Sequence, residues 1–286
     1  MKIGFIGAGR AGCSLGRYFR EKTLPDFDIA GFYSKRSEDA LWAAQFTRSK
    51  YFASLEDVVS ESDIIVISTP DSVVDFVWKA LPKEALRDKI ICHLSGSLSS
   101  DVFSERESYG IYGISVHPLF AFSNKESVYQ QLQKVCFTLE GDSFAVAVWQ
   151  KLLTDMGNPT LEITKENKIK YHAAASLLSN HVLAVLESGY ELLQECGFKE
   201  AQARGFTADL VMHNVEHAVR QGTMDALTGP IERCDTATVE KHLAQLTGYA
   251  RELYLCCGKA LLALAQQKNP TRDYGAMQKL FTNCGE

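Results

Sequence analysis

Residues able to hold a nucleotide stand near the start of the sequence. After Ile3-Gly4-Phe5-Ile6, the run Gly7-Ala8-Gly9-Arg10-Ala11-Gly12 sets glycines at the first, third and sixth positions. In a strand–turn–helix, the first glycine permits the tight turn and the second lets a pyrophosphate approach the backbone. The third lets the new helix lie close to the strand. The helix N-terminus adds free N–H groups and a partial positive charge. An apolar helical pattern follows at Ala11, Leu15, Tyr18 and Phe19. The spacing therefore predicts a dinucleotide site, with a purely structural turn as the alternative.

About twenty residues further on, an NAD site usually sets an acid against the ribose hydroxyls. This chain reads Ser34-Lys35-Arg36 there, a hydroxyl and two cations. That set suits a 2′-phosphate, so NADP is the expected cofactor. Each charge-assisted bond to it contributes roughly 1.5–3 kcal/mol. A solvated basic loop is the competing reading. Arg10, inside the glycine turn, is a further candidate phosphate contact.

A second group of chemical residues lies in the other half. Lys168, His172, Ser176 and Asn180 recur every four residues inside an apolar stretch. In one continuous helix that spacing puts them on one face. Buried polar groups need partners, so the stripe is either a reaction surface or a set of interhelical hydrogen bonds. Histidine suits proton transfer near neutral pH. His213-Asn214-Val215-Glu216-His217 matches the HxxEH zinc pattern. With no third ligand in view, it is read as a helix face, and no metal is expected.

The elements that must position these residues follow from periodicity. Strands are expected at 3–6, 28–33, 64–67, 89–94, 111–116, 135–139 and 159–163. Helices are expected at 37–46, 73–80, near 100–108, and at 144–156. This alternation predicts an α/β, Rossmann-type first domain with a mostly parallel sheet, over residues 1–163. In such sheets ligands sit beyond the carboxyl ends of the strands. The turns Gly7–Gly12, Ser34–Arg36, Thr69-Pro70-Asp71, Ser95-Gly96 and His117-Pro118 should then line one cleft. Residues 164–286 read as an all-helical second domain. It starts with one long helix at 166–196, whose middle, 173–186, is apolar all round and so expected to be buried. A helix near 201–220 follows. Next comes the loop Ala226–Asp235, an elbow or a pocket wall, with Asp235 or Thr236 capping the next long helix. That helix should turn Val239, Leu243, Leu246, Ala250 and Leu253 inward. A short helix after Asn269-Pro270 ends the pattern.

Composition excludes several classes. The formal charge of −5 leaves no basic footprint for nucleic acid. No apolar run reaches membrane-spanning length, and Met1-Lys2 runs directly into a strand, so no secretory leader is expected. The eight cysteines show no CxxC or metal-like spacing. They read as reduced, mostly buried side chains of a cytoplasmic protein.

Taken together, several segments resemble a known bacterial family. They are the glycine turn, Thr69-Pro70-Asp71, His93-Leu94-Ser95-Gly96, Ser115-Val116-His117-Pro118-Leu119, Tyr171-His172-Ala173-Ala174-Ala175 with Ser179-Asn180, Ala226–Asp235, and Val239-Glu240-Lys241-His242-Leu243. That family joins a Rossmann-like NADP-binding domain to a C-terminal helical domain of unknown function. Where it usually reads Arg-Gly-Asp, this chain has Arg233-Cys234-Asp235. The wider group is similar to pyrroline-5-carboxylate reductases, ketopantoate reductases and the 6-phosphogluconate dehydrogenase superfamily. The resemblance implies NADP and a homodimer made by the helical domain. Hydroxyacid dehydrogenases of that group carry a catalytic Lys four residues before an Asn. If Asn180 is that Asn, Ser176 stands at the Lys position. His117-Pro118 is similar to the His-Pro of prephenate dehydrogenases.

The expected activity is hydride transfer between NADPH and a small carbonyl or imine substrate. His172 is the expected proton donor, Asn180 an orienting donor, and Ser95 and His117 pocket groups. A non-catalytic NADP-binding redox sensor is the alternative, and a deazaflavin-dependent NADP reductase a third reading.

Overall fold

The computed structural model describes residues 1–22 and 25–283. The chain divides into two compact units, Met1–Ser179 and Asn180–Glu286.

The first unit is an eight-stranded sheet. Its strands are β1 (Lys2–Ile6), β2 (Asp28–Tyr33), β3 (Lys50–Tyr51), β4 (Ile64–Ile67), β5 (Ile90–His93), β6 (Tyr112–Pro118), β7 (Phe137–Gly141) and β8 (Thr160–Glu162). The order across the sheet is β3-β2-β1-β4-β5-β6-β7-β8. Every neighbouring pair is parallel except β6 and β7. The strand order runs outward in opposite senses from β1 and β4, the place where doubly wound sheets open a crevice.

Strand residues alternate between two cores. Ile64 and Val66 join Ile3, Phe5, Ile90 and Cys92 on one face. Ile65 and Ile67 join Ile6, Ile91, Val74 and Trp78 on the other. Helices α1 (Arg10–Glu21), α2 (Ser37–Thr47), α3 (Leu55–Glu61), α4 (Asp71–Ala80) and α5 (Ser143–Asp155) cover these faces. The short β3 and α3 lie in a stretch where no element was expected. A capping box between Ser54 and Asp57 starts α3.

The helix expected near 100–108 is replaced by two 3₁₀ turns, Ser100–Val102 and Arg106–Tyr109. Glu105, at φ 61°, interrupts any continuous helix there. Arg106 instead reaches both carboxylate oxygens of Asp142 at 2.9 Å.

The long helix expected at 166–196 is also interrupted. α6 (Lys168–Ser176) gives way to a π turn, Leu177–His181, and then to α7 (Val182–Glu195). A π turn adds a residue per turn, so the four-residue spacing of the polar stripe ends at Ser176. The apolar middle of this segment is not buried. Leu177, Leu178 and Leu183 are 59%, 82% and 63% exposed.

The second unit holds α7, α8 (Glu200–Gln221), α9 (Thr223–Ala226), α10 (Thr236–Gln245), α11 (Gly248–Lys268) and α12 (Gly275–Asn283). Its core is built from Leu227, Ile231, Val239, Leu243, Leu255, Leu262, Ala265, Tyr274, Met277 and Phe281. The helix expected from Asp235 onward breaks between α10 and α11, and Leu246, Ala250 and Leu253 are only partly covered. Asp235 caps α10 by accepting the Thr238 N–H at 3.1 Å. Cys234, at φ 60°, adopts the left-handed backbone that glycine takes most easily. The thiols are less buried than expected: Cys13 and Cys92 are buried, Cys136, Cys234 and Cys257 partly so, and Cys196 and Cys256 exposed. Cys284 lies outside the described residues. No helix among the described residues is long and apolar enough to cross a membrane.

Candidate active site

The glycine turn leaves β1 and enters α1 with a bare N-terminus. Gly7 sits at φ 106°, and its N–H donates to the Tyr33 carbonyl at 2.8 Å. Gly9 occupies the N-cap position of α1, with no capping side chain and no acid in the first turn. The first N–H groups of α1 are thus left for another acceptor. An added Cβ at Gly12 would lie 2.3 Å from Ser68 Oγ. Ser68, just beyond β4, donates that Oγ–H to the Gly7 carbonyl at 2.9 Å. At Gly9 a Cβ would meet only the Ser68 carbonyl oxygen, at 3.7 Å. Gly12 is filled by protein, whereas Gly9 faces open space.

That space is a cleft of about 430 Å³. Among the expected cofactor residues, Gly7, Ala8, Gly9, Arg10, Ser34, Arg36, Thr69 and Pro70 line it. Ala11, Gly12, Lys35 and Asp71 are not on its wall. Ser68, Asp39 and Lys125 are on it, and no sequence pattern singled them out. Thr69 Oγ1 is buried there without a hydrogen-bond partner. An unpartnered buried hydroxyl, an open glycine and an uncapped helix together fit a polar, anionic ligand such as a dinucleotide phosphate.

Arg36 is more encumbered than its sequence position suggests. Its guanidinium bonds Asp39, on the first turn of α2, at 2.6 and 2.7 Å. Lys125 comes from the long β6–β7 connection and lies 3.9 Å from the centre of the Trp42 ring. That loop carries no motif, so only the fold brings Lys125 to the cleft.

A second cluster sits at the carboxyl ends of β5 and β6. His93 ends β5 and is fully buried. Its Nδ1 accepts the Ser95 N–H at 3.2 Å, which leaves Nε2 to donate to the Ser99 carbonyl at 3.2 Å. Burial holds its pKa down to about 4. Ser95 Oγ donates to Asp71 Oδ2 at 2.6 Å and accepts the N–H groups of Ser97 and Leu98. Ser95 and Asp71 are therefore bound to each other, and the Ser95 hydroxyl also shapes its turn.

His117, near the end of β6, meets two side chains of α6. Its Nδ1 shares a 2.7 Å hydrogen bond with the Tyr171 hydroxyl, and its ring lies edge-on to His172, centroids 6.2 Å apart. Gly96 touches both imidazoles. A Cβ there would fall 2.5 Å from His172 Cδ2 and 2.9 Å from His117 Nε2. His117 is pushed down to about 4, first by burial and then by the positive charge of Lys168. It is therefore neutral at neutral pH. Burial raises the Tyr171 hydroxyl, which stays protonated. Lys168, Tyr171 and His172 share a face because they are three and four positions apart. Asn180 lies in the π turn, in the second unit. On α8, His213 is exposed and Glu216 pairs with Arg220 at 2.7 Å.

Two family models match the chain. Residues 2–95 match the model described as NADP oxidoreductase, coenzyme F420-dependent. Residues 135–261 match a domain of unknown function, DUF2520. The chain joins an NADP-oxidoreductase-type domain to a DUF2520 domain. NADP is thus the cofactor of the matched type, as the sequence reading expects. Solved structures share the fold at low identity. A protein from Thermotoga maritima is 24% identical over 93% of this chain and 99% of its own, with a TM-score of 0.74. An imine reductase from Myxococcus stipitatus in complex with NADP+ is 16% identical, with a TM-score of 0.65 over 99% and 100% of the two chains. The pyrroline carboxylate reductase of Plasmodium falciparum with NADP bound is 16% identical, with a TM-score of 0.59 over 94% and 97%. These likenesses are of fold. No curated protein sequence matches the chain.

Proposed function

We propose that the chain is an NADP(H)-dependent reductase of a small carbonyl or imine substrate. One coincidence carries this reading. Within one unit, at the carboxyl ends of parallel strands, an open glycine turn and a histidine pair seated on Gly96 occur together.

Gly7, Ala8, Gly9 and Arg10 hold the pyrophosphate against the N-terminus of α1, and Ala11 and Gly12 shape that turn. Ser34, Arg36 and Lys125, all on the cleft wall, take the 2′-phosphate. Thr69 and Pro70 form the opposite wall, where the Thr69 hydroxyl supplies a donor, and Asp71 behind it holds Ser95. NADPH, when bound, supplies a hydride. His172 donates the proton that reduction of a carbonyl or imine requires. His117 is neutral and held by Tyr171, so it orients the substrate without adding charge. Ser95 fixes the turn that carries Gly96.

The working unit in this proposal is a homodimer formed through the helical unit, in the cytoplasm. α8 exposes Phe206 and Leu210 on one face and Met212, Val215 and Val219 on another. Large apolar side chains on two faces of one helix mark a surface that a partner covers. A second copy supplies the same two faces.

The test is NADPH oxidation against a panel of small keto acids and cyclic imines. His172→Ala should lower turnover at least about a hundredfold, as losing one donor costs roughly 2.7–4 kcal/mol. NADPH affinity should not change. Unchanged turnover would remove His172 from the chemistry, and no turnover on any panel member would favour a binding module.

A further inference from the structure

Lys168 is a buried cation that the proposed chemistry does not use. It is 1% exposed. It stands at the first position of α6, where the helix dipole opposes a positive charge. Its ammonium donates to the Ser95 carbonyl at 3.1 Å and to Ser115 Oγ at 2.5 Å, both neutral oxygens. Ser115 Oγ donates to the same Ser95 carbonyl at 3.1 Å. Lysine is almost never fully buried without a charged partner, so this arrangement needs a reason.

The geometry supplies one. The residue after the lysine's anchor is Gly96, whose backbone carries the His117 and His172 rings. We propose that Lys168 is a positioning residue: it pins the Ser95–Gly96 turn beneath the histidine pair and sets a buried positive charge close to them. The lysine cannot touch substrate from its buried seat. It acts through the turn by two hydrogen bonds, and through space by electrostatics.

The groups around His117 bear this out by sign. His172 and Tyr171 face it from α6, His93 from β5 and Asp71 from the start of α4. Asp71 is the only carboxylate among them, and it favours protonation. Lys168 opposes it. The lysine itself is held down to about 8 by burial, against the pull of Glu140 and Asp71. Glu140 is occupied by the Ser100 N–H and hydroxyl, each at 2.8 Å. Near neutral pH the ammonium is thus charged and His117 is not.

This inference rests on the reductase reading only for the importance of the histidines. Its test needs no turnover, so the two can fail separately. The imidazole signals of His117, assigned by their loss in His117→Gln, are followed by NMR titration in the full chain. In Lys168→Met the His117 midpoint should rise by about one pH unit, burial keeping it below the ordinary histidine value. Lys168→Arg should keep the midpoint near the parent's. A folded Lys168→Met protein with an unmoved His117 midpoint overturns the proposal. If neither variant folds, the parent protein decides. Its His117 ring should show a second inflection where the Lys168 ammonium loses its proton, near pH 8. Absence of that inflection also overturns it.

Discussion

The Nδ1 of His117 and the hydroxyl of Tyr171 lie 2.7 Å apart across 54 residues of sequence. One comes from the end of a strand and the other from a helix, so this bond ties α6 to the carboxyl edge of the sheet. Removing it with Tyr171→Phe leaves a partly buried imidazole nitrogen without its partner. The unmet group should cost about 1–3 kcal/mol of stability, read as a lower urea midpoint. NADPH affinity should stay within about twofold. Turnover on any substrate found by screening should fall about ten- to a hundredfold. A Tyr171→Phe protein equal to the parent in both stability and turnover would show the bond to be incidental.

Acid should weaken the fold before the carboxylates titrate. His93 and His117 both hold pKa values of about 4 in the folded chain, against about 6.5 unfolded. Below pH 6.5 the unfolded chain takes up protons that the folded chain refuses. Stability is therefore complete above about pH 6.5 and is lost as pH falls towards 4. Each histidine should remove about 2 kcal/mol by pH 5. Urea unfolding at pH 7, 6 and 5 measures this, and a flat midpoint over that range contradicts the buried-neutral assignment.

Cofactor preference should reside in two cations on the cleft wall. Arg36→Ala and Lys125→Ala should each weaken NADPH about tenfold or more, from the charge-assisted bond lost to a 2′-phosphate. NADH binding should hardly change. Titration of cofactor fluorescence separates the cases. Equal losses for both nucleotides would refute the 2′-phosphate role of Arg36. Because Asp39 already holds Arg36, Asp39→Asn should tighten NADPH.

Gly12 should not tolerate a methyl group. A Cβ there meets Ser68 Oγ at 2.3 Å and Ser68 Cβ at 2.9 Å. Gly12→Ala must push α1 away from the end of β4, at about 1–3 kcal/mol, and should lower the thermal midpoint. Gly9→Ala, which meets little protein, should instead leave stability nearly intact and weaken the nucleotide. Reversal of this pattern would show that the two glycines have been assigned the wrong tasks.

Association should depend on α8. Leu210 and Val219 are 72% and 80% exposed. Sedimentation equilibrium should find two chains per particle, and Leu210→Asp or Val219→Asp should shift it to one. A monomeric parent at micromolar concentration removes the dimer proposal.

The order of strands and helices in the first unit was legible from residue patterns, apart from β3, α3 and the 3₁₀ turns that replace a helix near 100–108. Buried strands such as Ile64–Ile67 are apolar on both faces, and turn residues mark their ends, so local chemistry alone fixes them. The glycine turn was legible for the same reason, because each glycine answers a steric demand made within a few residues. The His117–Tyr171 bond, the lysine under Ser95 and the approach of Lys125 to the cleft were not legible. They join residues from different elements, and no local pattern records which side chains a parallel sheet brings to one edge. The breaks at 177–181 and 246–247 were missed because helix periodicity carries on through a π turn or a short kink without a change in composition. Apolar content was misleading at 173–186. Hydrophobicity states that a surface needs covering, whereas only the tertiary structure shows whether the chain's own core does so.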